Sequence, residues 1–258
     1  MSVYGRKERM RIDYGRKRKI DNKALLRLAI FLCIITIMLA TTSSFFKIKE
    51  VAVEGNSSIP DGEVLKLLSR YMDKNTFMVK PALISEEIKQ VLPVEEAKVK
   101  LRLPGTIIVR VKEREVMAAI PYLGGFVLID PACYVVKMQA DLDGLRIPIV
   151  TGIEITKPEK AKPIIVNKRQ DVVEGLKKAL KYLLPMRAEL SEIHLDNKEG
   201  EITFFIYTLD GFQIYLKEKD LEEEKFLLME SVLKDLRERG IDKGQIDLSK
   251  GAPVFKAF

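Results

Sequence analysis

A chain of 258 residues, 47% of them apolar, is long enough for two modest domains plus an appendage and too rich in core-forming residues for disorder. Its formal net charge of +7 lies entirely in residues 1–27, which hold ten Lys/Arg against three acids, and the rest of the chain is electrically balanced. One histidine and two distant cysteines, Cys33 and Cys133, make neither a disulfide framework nor a Cys/His zinc site, so no metal or cofactor is expected.

The basic tail leads directly into Leu28–Phe46, 19 residues without a charge. Counted from Ala24 the apolar segment has 23 residues. At 1.5 Å per residue that is about 35 Å, enough for a hydrocarbon core of roughly 30 Å. The excess of Lys/Arg before this run predicts a cytoplasmic N-terminus and an extracytoplasmic remainder. Setting this topology is the role the sequence favours for the tail, ahead of contact with nucleic acid or anionic lipid. A cleaved signal peptide is the rival: Leu28–Leu39 has the length of its apolar region, and Ala40-Thr41-Thr42-Ser43-Ser44 offers small residues for cleavage. The long charged tail and the continuation through Phe45-Phe46 favour an anchor.

After the anchor, Ile48, Val51 and Val53 predict a strand that ends at Gly55-Asn56. Pro60-Asp61 opens a helix carrying Val64, Leu65, Leu67, Leu68 and Tyr71, and Pro81-Ala82 opens a second carrying Leu83, Ile84, Ile88 and Val91. The period then changes to two. Ala97, Val99, Leu101 and Leu103 alternate with basic residues; beyond Pro104-Gly105, Ile107, Val109 and Val111 do the same, which predicts a half-buried hairpin. The order is β-α-α-β-β. Pairing that hairpin would put Lys98, Lys100, Arg102, Arg110, Lys112 and Arg114 on its non-core face. That face is either a solvated surface or a docking surface for an acidic partner or the anionic membrane exterior.

Further strands are predicted at Phe126–Ile129, Tyr134–Met138, Arg146–Val150, Ile193–Leu195, Glu201–Thr208 and Phe212–Lys217, with turns at Asn197–Gly200 and Asp210-Gly211. Residues 158–163 form a connector. A helix capped by Asn167 carries Val172, Val173, Leu176, Leu180 and Leu183 on one face. A last long helix opens on an Asp220/Glu223 capping box and ends with Arg237 and Arg239 before Gly240. Ile246–Ser249 and Pro253–Ala257 close the chain as short strands.

Several chemical motifs fail on inspection. Ser44-Phe45-Phe46-Lys47 matches a Ser-x-x-Lys pattern without its companion motifs. Asp141-Leu142-Asp143-Gly144 has Arg146 and Gly152 where a calcium loop needs Gly and Glu. His194 sits on a strand with no nucleophile motif, and Gly124-Gly125 lacks a phosphate-binding context. No enzyme is expected.

The stretches 92–99, Leu103-Pro104-Gly105-Thr106-Ile107 and Val111-Lys112-Glu113-Arg114, together with Ile48–Asn56, resemble the FtsQ-type POTRA domain. Phe126–Asp130, Ile147–Gly152, and Lys225 followed by Ile246-Asp247-Leu248 resemble the β-domain of the FtsQ/DivIB cell division family. Two positions depart from the pattern: Cys133 stands at a turn that usually holds Gly, and Lys217 where a Gly often follows the strand. The resemblance implies an α+β protein with a cytoplasmic tail (1–23), a transmembrane helix (24–46), a POTRA domain (47–118) and a β-domain with two helices (119–258). It implies a non-catalytic divisome scaffold at the septum, linking early and late division proteins, with FtsL-like and FtsB/DivIC-like partners. Within the family the partner docks on the last part of the β-domain. A terminal edge strand would supply free backbone groups for it, with Ile246, Leu248, Val254 and Phe255 as candidate anchors. Alternative readings are a signal-anchored POTRA protein of envelope assembly or an accessory to a cell-wall enzyme.

Overall fold

The structure, a computed structural model, describes residues 22–167, 170–198 and 201–258. Most of the basic tail, the start of the helix expected at Asn167 and part of the Asn197–Gly200 turn therefore lie outside the described residues. Helix α1 spans Asn22–Thr42 and is long and apolar enough to cross a membrane. It stops short of Phe46, where the Ser43 hydroxyl competes for the backbone. Ser43 Oγ accepts from Phe45 N at 3.2 Å and opens a 3₁₀ turn at Ser44–Phe46 instead.

Next comes a three-stranded sheet, β1 (Glu50–Glu54), β2 (Val94–Arg102) and β3 (Thr106–Glu113), in the order β1-β3-β2. The β1–β3 pair is parallel and the β2–β3 pair antiparallel. Helices α2 (Asp61–Leu68) and α3 (Pro81–Val91) cover one face. Val64, Leu68, Ile84 and Ile88 pack there on Ala97, Ile107, Val109 and Val111, which the strand period of two delivers to the same side. The β-α-α-β-β order is the one that the alternation predicts.

The second sheet has nine strands in the order β12-β11-β10-β9-β8-β7-β4-β5-β6. In chain order these are β4 (Ala118–Tyr122), β5 (Gly125–Ile129), β6 (Val135–Gln139), β7 (Ile149–Thr151), β8 (Leu190–Lys198), β9 (Glu201–Thr208), β10 (Phe212–Lys217), β11 (Gly244–Asp247) and β12 (Val254–Lys256). Helices α4 (Gln170–Leu183) and α5 (Glu223–Glu238) bury Leu176, Leu180, Met229 and Leu233 against Ile193, Phe204, Ile206, Ile214 and Ile246. Tyr182 and Phe226 stack at 5.0 Å and join the two helices.

Three details differ from the sequence reading. Strand β4 was not expected, because two alanines and Pro121 are poor strand signals; burial of Ala118, Ala119 and Ile120 between β5 and β7 overrides them. Strand β7 begins at Ile149 rather than Arg146. The expected capping box does not form: the Asp220 carboxylate accepts from Lys217 N at 3.3 Å in a 3₁₀ turn, and α5 starts at Glu223 without a side-chain cap.

Candidate partner-docking surfaces

Two adjacent residues at the end of β3 point to different domains. Glu113 turns back into its own domain, where its carboxylate accepts the backbone N–H groups of Ser57 at 2.7 Å, Ile59 at 2.8 Å and Ser58 at 3.0 Å. That loop delivers Pro60 to the start of α2. Burial pushes the Glu113 carboxyl up, but the donors from Ile59, Ser57 and Ser58 outweigh it and hold its pKa below the usual value. A depressed carboxylate stabilises the fold fully above its unfolded pKa of about 4.3, and that stabilisation disappears as pH falls through the lower folded value. Glu113→Gln is therefore expected to lower the urea midpoint at neutral pH, with the gap to the parent closing on acidification. A gap independent of pH would contradict this account.

Arg114 faces the other way. Its Nη1 donates to Asp130 in the turn after β5, and its guanidinium lies 3.8 Å over the ring of Tyr134. Asp130 is also held by Tyr134 N at 2.7 Å. Arg187, beyond α4, adds a bond to the Val116 carbonyl at 2.6 Å, and Lys160 reaches Glu63 across the domains at 3.0 Å. Between these ties lies a cleft of about 750 Å³, lined by residues including Ser57, Glu113, Val136, Asp143 and Leu145.

Strand β12 forms one end of the nine-stranded sheet and bonds only to β11 among the described strands. Val254 is 47% exposed, and Phe255 is half-buried with its ring against the core. Ile246 and Leu248, also considered as anchors, are fully buried and belong to the core; the face they occupy is the one that α4 and α5 cover. Lys225 of α5 donates to the carbonyls of Leu248 and Lys250, both at 2.9 Å, and so fixes the segment that leads into β12. Beside this edge, on the face away from the helices, is a groove of about 470 Å³ lined by Tyr215, Gln245, Asp247, Val254 and Lys256. Phe205 meets Tyr215 edge-on at 5.3 Å on that face.

The basic face of the hairpin is smaller than the sequence suggested. Lys98 pairs with Glu96 at 2.8 Å, Lys112 with Glu95 at 2.6 Å and Arg110 with Glu54 of β1 at 2.7 Å. Arg114 is not part of it, because β3 ends at Glu113 and the chain turns into the domain junction. Lys100 and Arg102 are exposed and have no carboxylate partner among the described residues.

Cys133 keeps its turn with φ +60°, a left-handed conformation usually left to glycine. Its thiol is fully buried, and burial with Asp130 nearby pushes its pKa up to about 12, so it is a packing group. His194 Nδ1 lies 2.8 Å from Thr151 Oγ1, whose proton is directed to Glu192. Here the hydroxyl stands between ring and carboxylate, whereas a catalytic triad places the imidazole between hydroxyl and carboxylate. Neither the Arg114–Asp130 pairing nor the Lys225 clamp was legible beforehand, although all three residues fall in the motifs that carried the resemblance.

A membrane-length helix followed by a small β-α-α-β-β domain, tied to a large sheet whose β12 edge is unpaired among the described residues, defines a two-domain α+β protein with an apolar N-terminal helix. Residues 46–114 match the POTRA domain, FtsQ-type, and residues 118–249 match Cell division protein FtsQ/DivIB, C-terminal. The chain belongs to the FtsQ/DivIB family of cell division proteins. It is 25% identical over 227 residues to Cell division protein DivIB of Clostridium tetani, covering 88% of this chain and 85% of that one. It is 26% identical to the DivIB of Clostridium botulinum, covering 95% and 94%. With Cell division protein FtsQ of an Anaeromyxobacter species it shares 27% identity over 70% of this chain and 60% of that one.

Proposed function

We propose that this chain is a non-catalytic assembly protein of the division complex that connects early and late division proteins at the septum. Its basic tail lies in the cytoplasm, α1 crosses the membrane once, and both folded domains stand outside, as the charge asymmetry of residues 1–27 favours. An FtsB/DivIC-like protein, together with an FtsL-like one, is the proposed partner. It adds a strand to the outer edge of β12, with Val254 and the rim of Phe255 beneath it. The outer edge of β12, unpaired among the described residues, carries this reading, supported by the Lys225 clamp on the segment that leads into it. Lys100 and Arg102 are the remaining candidates for an acidic partner on the POTRA domain.

Val254→Glu tests the edge without touching the core, since Val254 is exposed and Phe255 stays in place. The variant is expected to lose co-purification of the FtsB/DivIC-like protein while unfolding at the parent temperature. Capture at the parent level would overturn the assignment of this edge.

A further inference from the structure

The junction between α1 and the POTRA domain is closed rather than loose. Asn75 Nδ2 donates to the Ala40 carbonyl near the end of α1 at 3.0 Å, and Lys47 pairs with Asn75 as an isolated bridge. Thr76 Oγ1 lies 2.7 Å from the Phe46 carbonyl and 2.8 Å from that of Pro104. Lys49 N donates to the Gly105 carbonyl at 2.9 Å, and Ile48 N to that of Lys74 at 2.9 Å. The loops at 73–79 and 103–105 are thereby fastened to the exit of the helix, and together they form the base of the domain.

That base exposes apolar side chains where a soluble surface would bury them or do without them. Phe45 is 65% exposed, Phe77 53%, Met78 73% and Leu103 56%. The rings of Phe45, Phe46 and Phe77 form a chain, each centroid 5.1 Å from the next. The ring chain starts three residues after the end of α1, so it is continuous with the segment that crosses the bilayer. Exposed Lys49, Lys74 and Lys80 lie beside these loops in the chain. Aromatic and aliphatic groups bordered by lysines are the composition that settles at the boundary between lipid headgroups and acyl chains. Lysines there also favour an anionic leaflet.

We propose that this rim is a membrane foot: Phe45, Phe77, Met78 and Leu103 sit in the interfacial layer of the outer leaflet, and the lysines meet anionic headgroups. The proposal rests on α1 spanning the membrane. Its consequence is a fixed stance, with the POTRA domain docked on the bilayer at a set tilt and the β-domain held beyond it by the Arg114–Asp130 tie.

The chain has no tryptophan, so single-Trp variants report cleanly. Full-length Phe77→Trp, Phe45→Trp, Phe31→Trp and Phe258→Trp would be reconstituted in vesicles of phosphatidylethanolamine and phosphatidylglycerol. Lipids brominated at shallow or deep acyl positions would serve as quenchers. The foot predicts blue-shifted emission and shallow quenching for the Trp at 77 and at 45, and water-like, unquenched emission for that at 258. Adding Met78→Glu to the Phe77→Trp chain should shift its emission back toward that of water. Deep quenching at 31 with water-like emission at both 77 and 45 overturns the foot alone. No quenching at 31 overturns the membrane span, and the foot with it.

Discussion

Arg114→Ala is expected to lower the free energy of unfolding by about 3–5 kcal/mol, the usual cost of removing one partner from a buried ion pair. The side chains of Arg114 and Asp130 are only 12% and 6% exposed, so solvent screens the pair weakly. Truncation leaves the Asp130 carboxylate buried with Tyr134 N as its remaining donor and strips the cation from the Tyr134 ring. Against a typical total stability of roughly 5–15 kcal/mol, this is a large fraction. Arg114→Lys keeps the charge but neither the planar stack nor the fork, and should recover only part of the loss. Urea unfolding of the detergent-solubilised full chain, followed by circular dichroism, measures both. An unchanged midpoint for the alanine variant would mean that the tie contributes nothing to holding the domains.

Adjacent positions with opposite destinations explain why this junction was hidden. Alternation along β3 correctly assigns Val109 and Val111 to the core and Arg110 and Lys112 to the outer face. Extended one step too far, it also placed Arg114 outside. The strand ends at Glu113, and what Arg114 meets is set by the turn after β5 in the next domain, a non-local fact. The same limit applied at the other end of the chain. The pattern of β11 shows that Ile246 belongs to one face and Gln245 to the other, but only the docking of α4 and α5 decides which face is covered. The hairpin, both POTRA helices, β9, β10 and the apolar stripe of α4 were legible because one periodicity persisted in each. Strand β4 carried no such signal: Ala118, Ala119 and Ile120 are buried in succession, without alternation, and an exposed Pro121 follows them.

The second large effect is expected at Gly152, in the Thr151-Gly152 pair that contributed to the family resemblance. Its φ is +79°, and a Cβ there would lie 1.8 Å from the Leu195 carbonyl oxygen of β8. Alanine there both occupies the left-handed region, at about 1–2 kcal/mol, and pushes β8 away, with overpacking costs of about 1–3 kcal/mol. Because β7 pairs in parallel with β8 at Thr151↔His194, and β8 pairs with β9 along its length, a shift of β8 spreads into the centre of the sheet. Gly152→Ala should therefore destabilise the β-domain by about 2–5 kcal/mol, the two costs combined. Gly124→Ala separates them, because Gly124 has φ +82° but nothing within 4 Å of its Cβ position. It should show the backbone cost alone. Equal losses of thermal stability for the two variants would mean that β8 yields freely at Leu195, and that the close approach of Gly152 places no demand on the sheet.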